Sequence, residues 1–285
     1  MASDAILPHQ TPALGSAKIC GVVRRLGELL HEIRRQRALV VCLTRRSLIA
    51  RYRGTALGLL WSLLHPLVQC GVYGLVFGWF VRVEEGGAAY AAFLCAGLVP
   101  WLWFSQTLSI ATTSILSEAP FIRQAAFSPA LPALVASLAG LVHFLLALPA
   151  LGLVLLLLGV APSPWLLLLP LPVALLALLG LGLGLGLSAL CVRYRDTAQV
   201  LQAGLPVWFL LTPVIYPAER LPGAFAWLRL VNPIAPLAEA FQASLLGRAP
   251  PAPAGLLVSA AAALLALALG AALLEALRER IPEEL

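Results

Sequence analysis

From residue 124 to residue 192 the chain runs without a single Asp, Glu, Lys or Arg. A hydrocarbon layer about 30 Å thick takes roughly 20 apolar residues as one helix, so this 69-residue run is too long for one crossing. The stretch "GVAPSPW" at 159–165 interrupts it near the middle with two turn-forming prolines, and the run reads as a helical hairpin. Four further uncharged intervals, 54–81, 86–117, 197–218 and 249–274, each provide one more crossing. Six spans are expected, at about 56–80, 91–117, 131–159, 166–190, 199–217 and 254–275. Charged residues make up 11% of the chain, against about 25% in a soluble domain. The fold class expected is therefore an all-α integral membrane protein, and a soluble protein is excluded.

Six spans put both ends on one side. That side carries 15 of the 19 Lys and Arg residues, in 1–55, 118–130, 191–199 and the C-terminal tail. Only Arg82, Arg220, Arg229 and Arg248 fall opposite. Cations accumulate on the cytoplasmic face of membrane proteins, so both termini are expected in the cytoplasm; the resemblance given below implies the bacterial inner membrane. The net charge of +6 then reflects topology and contact with anionic lipid, and no nucleic-acid partner is expected. The five cysteines show no CxxC spacing, so neither a disulfide framework nor a metal site is expected. The first apolar stretch starts behind a long basic segment, which predicts no cleavable signal peptide.

Catalytic equipment is missing from the pattern. The one lysine, Lys18, lies outside any phosphate-loop motif. His9, His31, His65 and His143 are far apart, and no carboxylate pair sits inside a span, as a proton relay would need. No catalytic residue and no cofactor in this chain are expected. If a solute moves through the protein, the energy comes from elsewhere.

The chain divides into a loose tail (1–19), a cytoplasmic basic segment (20–54), a six-helix membrane domain (55–276) and a short cytoplasmic tail (277–285). In the basic segment Val22, Leu26, Leu29, Leu30 and Ile33 recur at three- and four-residue steps, with Arg24, Arg25, Glu28, Glu32 and Arg35 opposite. This predicts an amphipathic helix lying in the interface. Arg45, Arg46, Arg51 and Arg53 follow, placed to snorkel to headgroups beneath the first span. Within the fourth span, "LGLGLGLGLSAL" holds the pairs Gly180/Gly184 and Gly182/Gly186, a spacing that lets helices approach closely. Residues 218–248 lie outside yet are mostly apolar, and Pro222, Gly223, Pro233 and Pro236 forbid one continuous helix. Two short re-entrant helices forming an external gate are expected there, with Trp227, Arg229 and Glu239 as its polar and aromatic members.

Three spans carry polar stripes. Trp61, His65, Gln69, Tyr73 and Phe77 share one face of the first. Gln106, Ser109, Thr113 and Ser117 share one of the second, and Gln202, Phe209, Thr212 and Tyr216 one of the fifth. Aromatics, hydroxyls and amides without charge suit a path for a neutral or amphipathic solute such as a sugar chain. Helix–helix contact through polar side chains is the alternative use of such stripes. His65, beside Pro66, is expected to be a neutral kink residue. Tyr90, Trp101 and Trp103 read as an interfacial aromatic belt. The loop "SEAPFIRQAAFSPALP" sets Arg123 between Phe121 and Phe127, a docking knob for another protein.

The segments "RYRGTALGLLWSLLHP", "FLCAGLVPWLWFS", "FIRQAAFSPALP", "VRYRDTAQVL", "TPVIYP" and "NPIAPLAEAF" occur in order over about residues 35–275. Together they resemble the ABC-2 type permeases that export lipid-linked O-antigen, capsule and teichoic-acid chains. That resemblance implies a homodimer joined to two nucleotide-binding ATPase subunits, which would hold the ATP and magnesium. It also implies an undecaprenyl-linked polysaccharide as substrate. A coupling helix would match 118–128, with Glu118, Phe121, Arg123 and Phe127 as contacts. An aromatic channel would map onto Trp61, Tyr73, Phe77, Trp208, Phe209 and Tyr216. The chain departs from the family at Gln124-Ala125-Ala126, where relatives often carry a cation, and Glu239 matches an acidic position. Two other functions compete: an ABC permease for a drug or lipid, and a membrane-embedded glycan-processing enzyme. The latter would need large outer loops rich in Arg and carboxylates, whereas the outer side here has four arginines.

Overall fold

The computed structural model describes residues 27, 35–54, 58–76, 87–124, 127–218, 227 and 231–285. Most of the amphipathic stretch expected over 22–35 lies outside them, as do Phe77 and Arg229. Ten helices run in order among the described residues: α1 (Arg37–Tyr52), α2 (Trp61–Leu75), α3 (Ala88–Ser117), α4 (Ala119–Gln124), α5 (Ala130–Leu157), α6 (Pro170–Arg193), α7 (Thr197–Leu210), α8 (Ala235–Leu246), α9 (Pro253–Leu277) and α10 (Ile281–Glu284). A 3₁₀ turn over Pro164–Leu168 leads into α6. The described residues contain no strand.

Among the described residues four helical stretches are long and apolar enough to cross a bilayer: Ala88–Ser117, Ala130–Leu157, Pro164–Arg193 and Pro253–Leu277. The chain is a multi-pass, all-α membrane protein. α2 and α7 are shorter, at 15 and 14 residues, about 22 Å each at 1.5 Å per residue. The helix in the fifth apolar interval ends at Leu210 instead of continuing to 217, because Pro213 brings no N–H to extend it. The turn that follows, Thr212 to Ile215, is buried in protein, where irregular backbone is tolerated at membrane depth.

α3 is the central helix. In its most apolar stretch 72% of residues are buried, against 22–33% in the three other long helices, and it touches α2, α5, α6, α7 and α8. The glycine ladder explains how α6 fits between two neighbours. A Cβ on Gly182 would fall on the backbone of Leu267 in α9, and one on Gly270 would fall on the carbonyl of Gly182. A Cβ on Gly184 would instead come 2.9 Å from Cβ of Ala111 in α3, and one on Gly180 would come 3.7 Å from the Phe104 ring. Alternate glycines thus serve opposite faces of one helix: 182 and 186 seat α9, while 180 and 184 seat α3. In hydrocarbon such close approach supplies the dispersion contact that the hydrophobic effect supplies in water.

Tyr90, Trp101 and Trp103 do not form an interfacial belt. They are 3%, 5% and 7% exposed. Tyr90 donates its hydroxyl to the Ile215 carbonyl at 3.1 Å, and Trp103 stacks on Phe144 of α5 with centroids 4.2 Å apart. Their place on the central helix, surrounded on all sides, turns interfacial-looking aromatics into core. The C-terminal α10 is docked as well: Ile281 is 1% exposed in a cluster with Ile115, Ile122 and Leu274. Glu284 accepts from Arg193 at 2.7 Å.

Candidate functional site

Helix α1 lies against α5, where Val40 buries with Leu131 and Leu134. This contact holds α1 beside the bundle. Arg46 sets its guanidinium 5.3 Å from the ring centre of Phe121 in α4. Five residues on, Arg51 donates through Nη2 to Oε1 of Gln106 in α3 at 3.3 Å. All four arginines, Arg45, Arg46, Arg51 and Arg53, are exposed.

Two cavities meet at the Arg51–Gln106 contact. The first, about 480 Å³, is bounded by Trp61, His65, Trp103, Gln106, His143 and Arg51. The second, about 440 Å³, lies between α2, α3 and α7, with Gln69, Tyr73, Trp101, Gln202, Phe209 and again Arg51 in its wall. Among the described residues no Asp or Glu lines either. Both therefore offer one positive charge, amide groups and aromatic faces. The apolar faces of α2 and α7 beside them are open: Val68, Val72, Leu75, Val207 and Leu210 are 49–61% exposed.

The structure brings together Trp61, His65, Gln69, Tyr73, Gln106 and Phe209 of the expected channel residues. Tyr73 and Phe209 meet edge to face at 5.5 Å, joining α2 to α7. Trp208, Thr212 and Tyr216 are placed elsewhere. Trp208 Nε1 donates to Asn232 Oδ1 at 3.0 Å, and Thr212 is fully buried, accepting from Asn232 Nδ2 at 2.9 Å. Tyr216 donates to the Leu210 carbonyl. Ser105, Ser109 and Thr113 turn their hydroxyls onto carbonyls of their own helix, a common way to satisfy a hydroxyl at membrane depth.

Along another stretch of α1, from Leu39 to Ala50, a third cavity of about 360 Å³ includes Arg46, Ser117, Glu118, Phe121 and Phe127. Phe121 is 47% exposed, while Ile122 on the other face of α4 is 5% exposed. α4 is thus anchored by one apolar residue and offers another outward. Arg123 lies on α4, its side chain outside the description. Trp227 is exposed and Glu239 is half-buried on α8.

Asn232 and His143 have no site role in the sequence pattern, and Trp103 has only the interfacial one corrected above. Asn232 had a signal, since it is an amide inside an apolar run and precedes Pro233. His143 sits alone in a long apolar span, where an ionisable side chain marks function by default.

Comparison with known proteins agrees with this architecture. The ABC-2 type transporter family model matches residues 38–246. The chain is 30% identical over 260 residues to the O-antigen export system permease protein RfbA of Myxococcus xanthus, covering 90% of this chain and 99% of that one. It is 29% identical over 198 residues to the Klebsiella pneumoniae protein of the same name, covering 69% and 76% respectively.

Proposed function

Since this chain belongs to the ABC-2 type transporter family, we propose that it is the permease of a polysaccharide exporter, moving a lipid-linked glycan out of the bacterial cytoplasm across the inner membrane. The chain is a transport permease and not an enzyme. Its six crossings comprise the four long helices plus α2 and α7 with their flanking segments, and both termini face the cytoplasm. Two copies pair through the open apolar faces of α2 and α7. The path between them is lined by Trp61, His65, Gln69, Tyr73, Gln106 and Phe209. Aromatic faces stack on the C–H surfaces of sugar rings while amides bond their hydroxyls, so the wall favours a glycan over a compact cation.

Work is done on partner ATPase subunits, which hold the ATP and magnesium. They seat α4 through Glu118, Phe121, Arg123 and Phe127, and Arg46 hands displacement of Phe121 to α1. Helix α1 carries Arg51 to the cavities, so ATPase closure reaches the path through a single rigid element. Transport needs ATP-bound and ATP-free states that differ in free energy for the open path. The external gate expected over 218–248 would act at the outer end; its described members are Trp227 and Glu239, and Arg229 lies outside the described residues.

The observation that carries this reading is the placement of the exposed Phe121 beneath Arg46, on the helix whose Arg51, five residues on, lines both cavities. The test is co-expression of the chain with the ATPase encoded beside it. A complex with the wild type, lost with Arg123→Glu/Phe121→Ala, supports the permease assignment. Absence of any complex with the wild type overturns it.

A further inference from the structure

We propose that Gln242 on α8 is a positioning residue for the path. Its side-chain amide holds the unwound turn after α7 closed, at the outer end of the cavity between α2, α3 and α7. This deepens the exporter reading above and rests on it for which end of the path is the outer one.

The turn leaves backbone groups to be satisfied. Thr212 to Ile215 are buried, and with α7 ended at Leu210 the carbonyls of Pro213, Val214 and Ile215 lie outside any helix. At membrane depth water is not at hand for such groups, and each one left unpaired is expensive. The donors come from two other helices. Tyr90 of α3 donates its hydroxyl to the Ile215 carbonyl at 3.1 Å. Gln242 lies across the other two, its Nε2 donating to the Pro213 carbonyl at 3.4 Å and to the Val214 carbonyl at 3.5 Å. A carbonyl only accepts, so two of them side by side fix which end of the amide faces the turn.

These ties differ in strength. The bond from Asn232 to Thr212 is 2.9 Å and that from Tyr90 to Ile215 is 3.1 Å. The two Gln242 contacts lie beyond the usual range of about 2.7–3.2 Å, and one NH₂ group serves both. The turn is pinned firmly at its two ends and held loosely between them. A loose, shared contact can be given up and remade without unfolding the elements that carry it, which is what a moving gate requires.

Packing places the amide with little freedom. Gln242 is 5% exposed, and Phe241 and Leu237 on the same helix are fully buried. A Cβ on Gly97 of α3 would come 2.7 Å from Gln242 Nε2 and 3.3 Å from Cγ1 of Val214. Gly97 is therefore the notch that admits the amide to the turn. The next residue, Leu98, lines the 440 Å³ cavity, and so does Phe209 of α7, five residues before Val214. Gly97 is nine residues from the Ala88 end of α3, about 14 Å along the helix. The clamp thus stands beside the cavity wall, on the side towards that end. Because α8 lies within the expected external gate, Gln242 is the point where displacement of α8 reaches the path. Without it the Pro213 and Val214 carbonyls lose their donor and draw in water, and the outer seal becomes wet.

The test uses the full chain expressed with its ATPase. Ser105, in the wall of the same cavity, is replaced by cysteine, and its labelling by a membrane-impermeant maleimide added outside spheroplasts is timed. The rate of the chain that keeps Ser105 is subtracted. Gln242→Leu is expected to raise the rate about fivefold, the equilibrium equivalent of one net hydrogen bond. Gly97→Ala is expected to match it, since the added methyl displaces the amide. Both substitutions together should be no faster than either alone, because they act on one contact. Ile281→Ala, a core loss at the cytoplasmic end, should leave the rate unchanged. An unchanged rate in Gln242→Leu overturns the proposal. So does a double variant whose effects multiply, or equal labelling in Ile281→Ala, which would mark general loosening. Co-purification of the ATPase is scored on the same cells, so failure of the exporter assignment and failure of the Gln242 clamp give different results.

Discussion

The indole Nε1–H of Trp208 donates to Oδ1 of Asn232 at 3.0 Å and ties the end of α7 to the chain entering α8. The same oxygen accepts from the Ile234 backbone N–H at 3.1 Å. Nδ2 donates to Thr212 Oγ1 at 2.9 Å and to the Leu211 carbonyl at 3.3 Å. One amide thus closes the break after α7. Asn232→Ala would remove a partner from four residues, of which Thr212 and Ile234 are buried, a loss of about 1–3 kcal/mol for each buried group left unpaired. A clear fall in the thermal midpoint of the purified protein is expected, with Asn232→Asp no better because it replaces the donor by a buried charge. A thermal scan of the three proteins in one detergent checks this, and an unchanged midpoint for Asn232→Ala would contradict it.

The glycine seams predict an asymmetry. Gly270→Val must separate α9 from α6, since even a Cβ meets the Gly182 carbonyl. Overfilling a close-packed seam costs about 1–3 kcal/mol, and at a backbone-to-backbone contact neither side can move a side chain away. Gly152 on α5 has nothing within 4 Å of an added Cβ. Gly152→Ala is expected to be neutral or stabilising, through the helix propensity of alanine. Expression level and monodispersity of the two variants, measured side by side, distinguish them.

How much of this could be read from residue order depends on range. The long spans are legible because their signal is local: the absence of charge over a bilayer's thickness. The Gly180–Gly186 pattern announces close approach, but not that alternate glycines face different partners, since Leu267 and Ala111 are remote in sequence. Tyr90 and Trp101 looked interfacial because hydropathy ignores lateral neighbours. The partner of Tyr90, Ile215, lies 125 residues away. Arg51 reads as one more basic residue before a span, and the contact that changes its meaning, with Gln106, spans 55 residues. Helix existence follows from local chemistry, whereas the site depends on which helices become neighbours.

The Arg46–Phe121 contact predicts a graded effect on coupling. A cation over an exposed ring contributes about 0.5–1 kcal/mol, too little for Arg46→Ala to unfold the protein. The variant is therefore expected to bind the ATPase while transmitting less of its cycle, seen as ATP hydrolysis that persists while transport falls. Arg46→Lys, which keeps the charge but loses the planar stacking surface, should fall between. Parallel fall of hydrolysis and transport in Arg46→Ala would place the contact in docking instead of transmission.

The C-terminal helix gives the last prediction, in which burial competes with charge. Arg193 and Glu284 form a 2.7 Å ion pair, but their side chains are 41% and 28% exposed. Exposed pairs contribute roughly 0–1 kcal/mol, so Glu284→Gln should leave α10 in place. Ile281 is 1% exposed among Ile115, Ile122 and Leu274, and truncating a buried isoleucine to alanine costs about 2–5 kcal/mol. α10 has four residues and little cohesion of its own, so that loss exceeds what holds it down. Ile281→Ala is expected to release residues 281–285, making them sensitive to carboxypeptidase and fast in hydrogen exchange, while Glu284→Gln stays protected. Because Ile122 of α4 shares the cluster, exchange in 119–124 should rise in Ile281→Ala as well. Release of the tail with no change in α4 would separate the two and show that α4 is held by Ile115 alone.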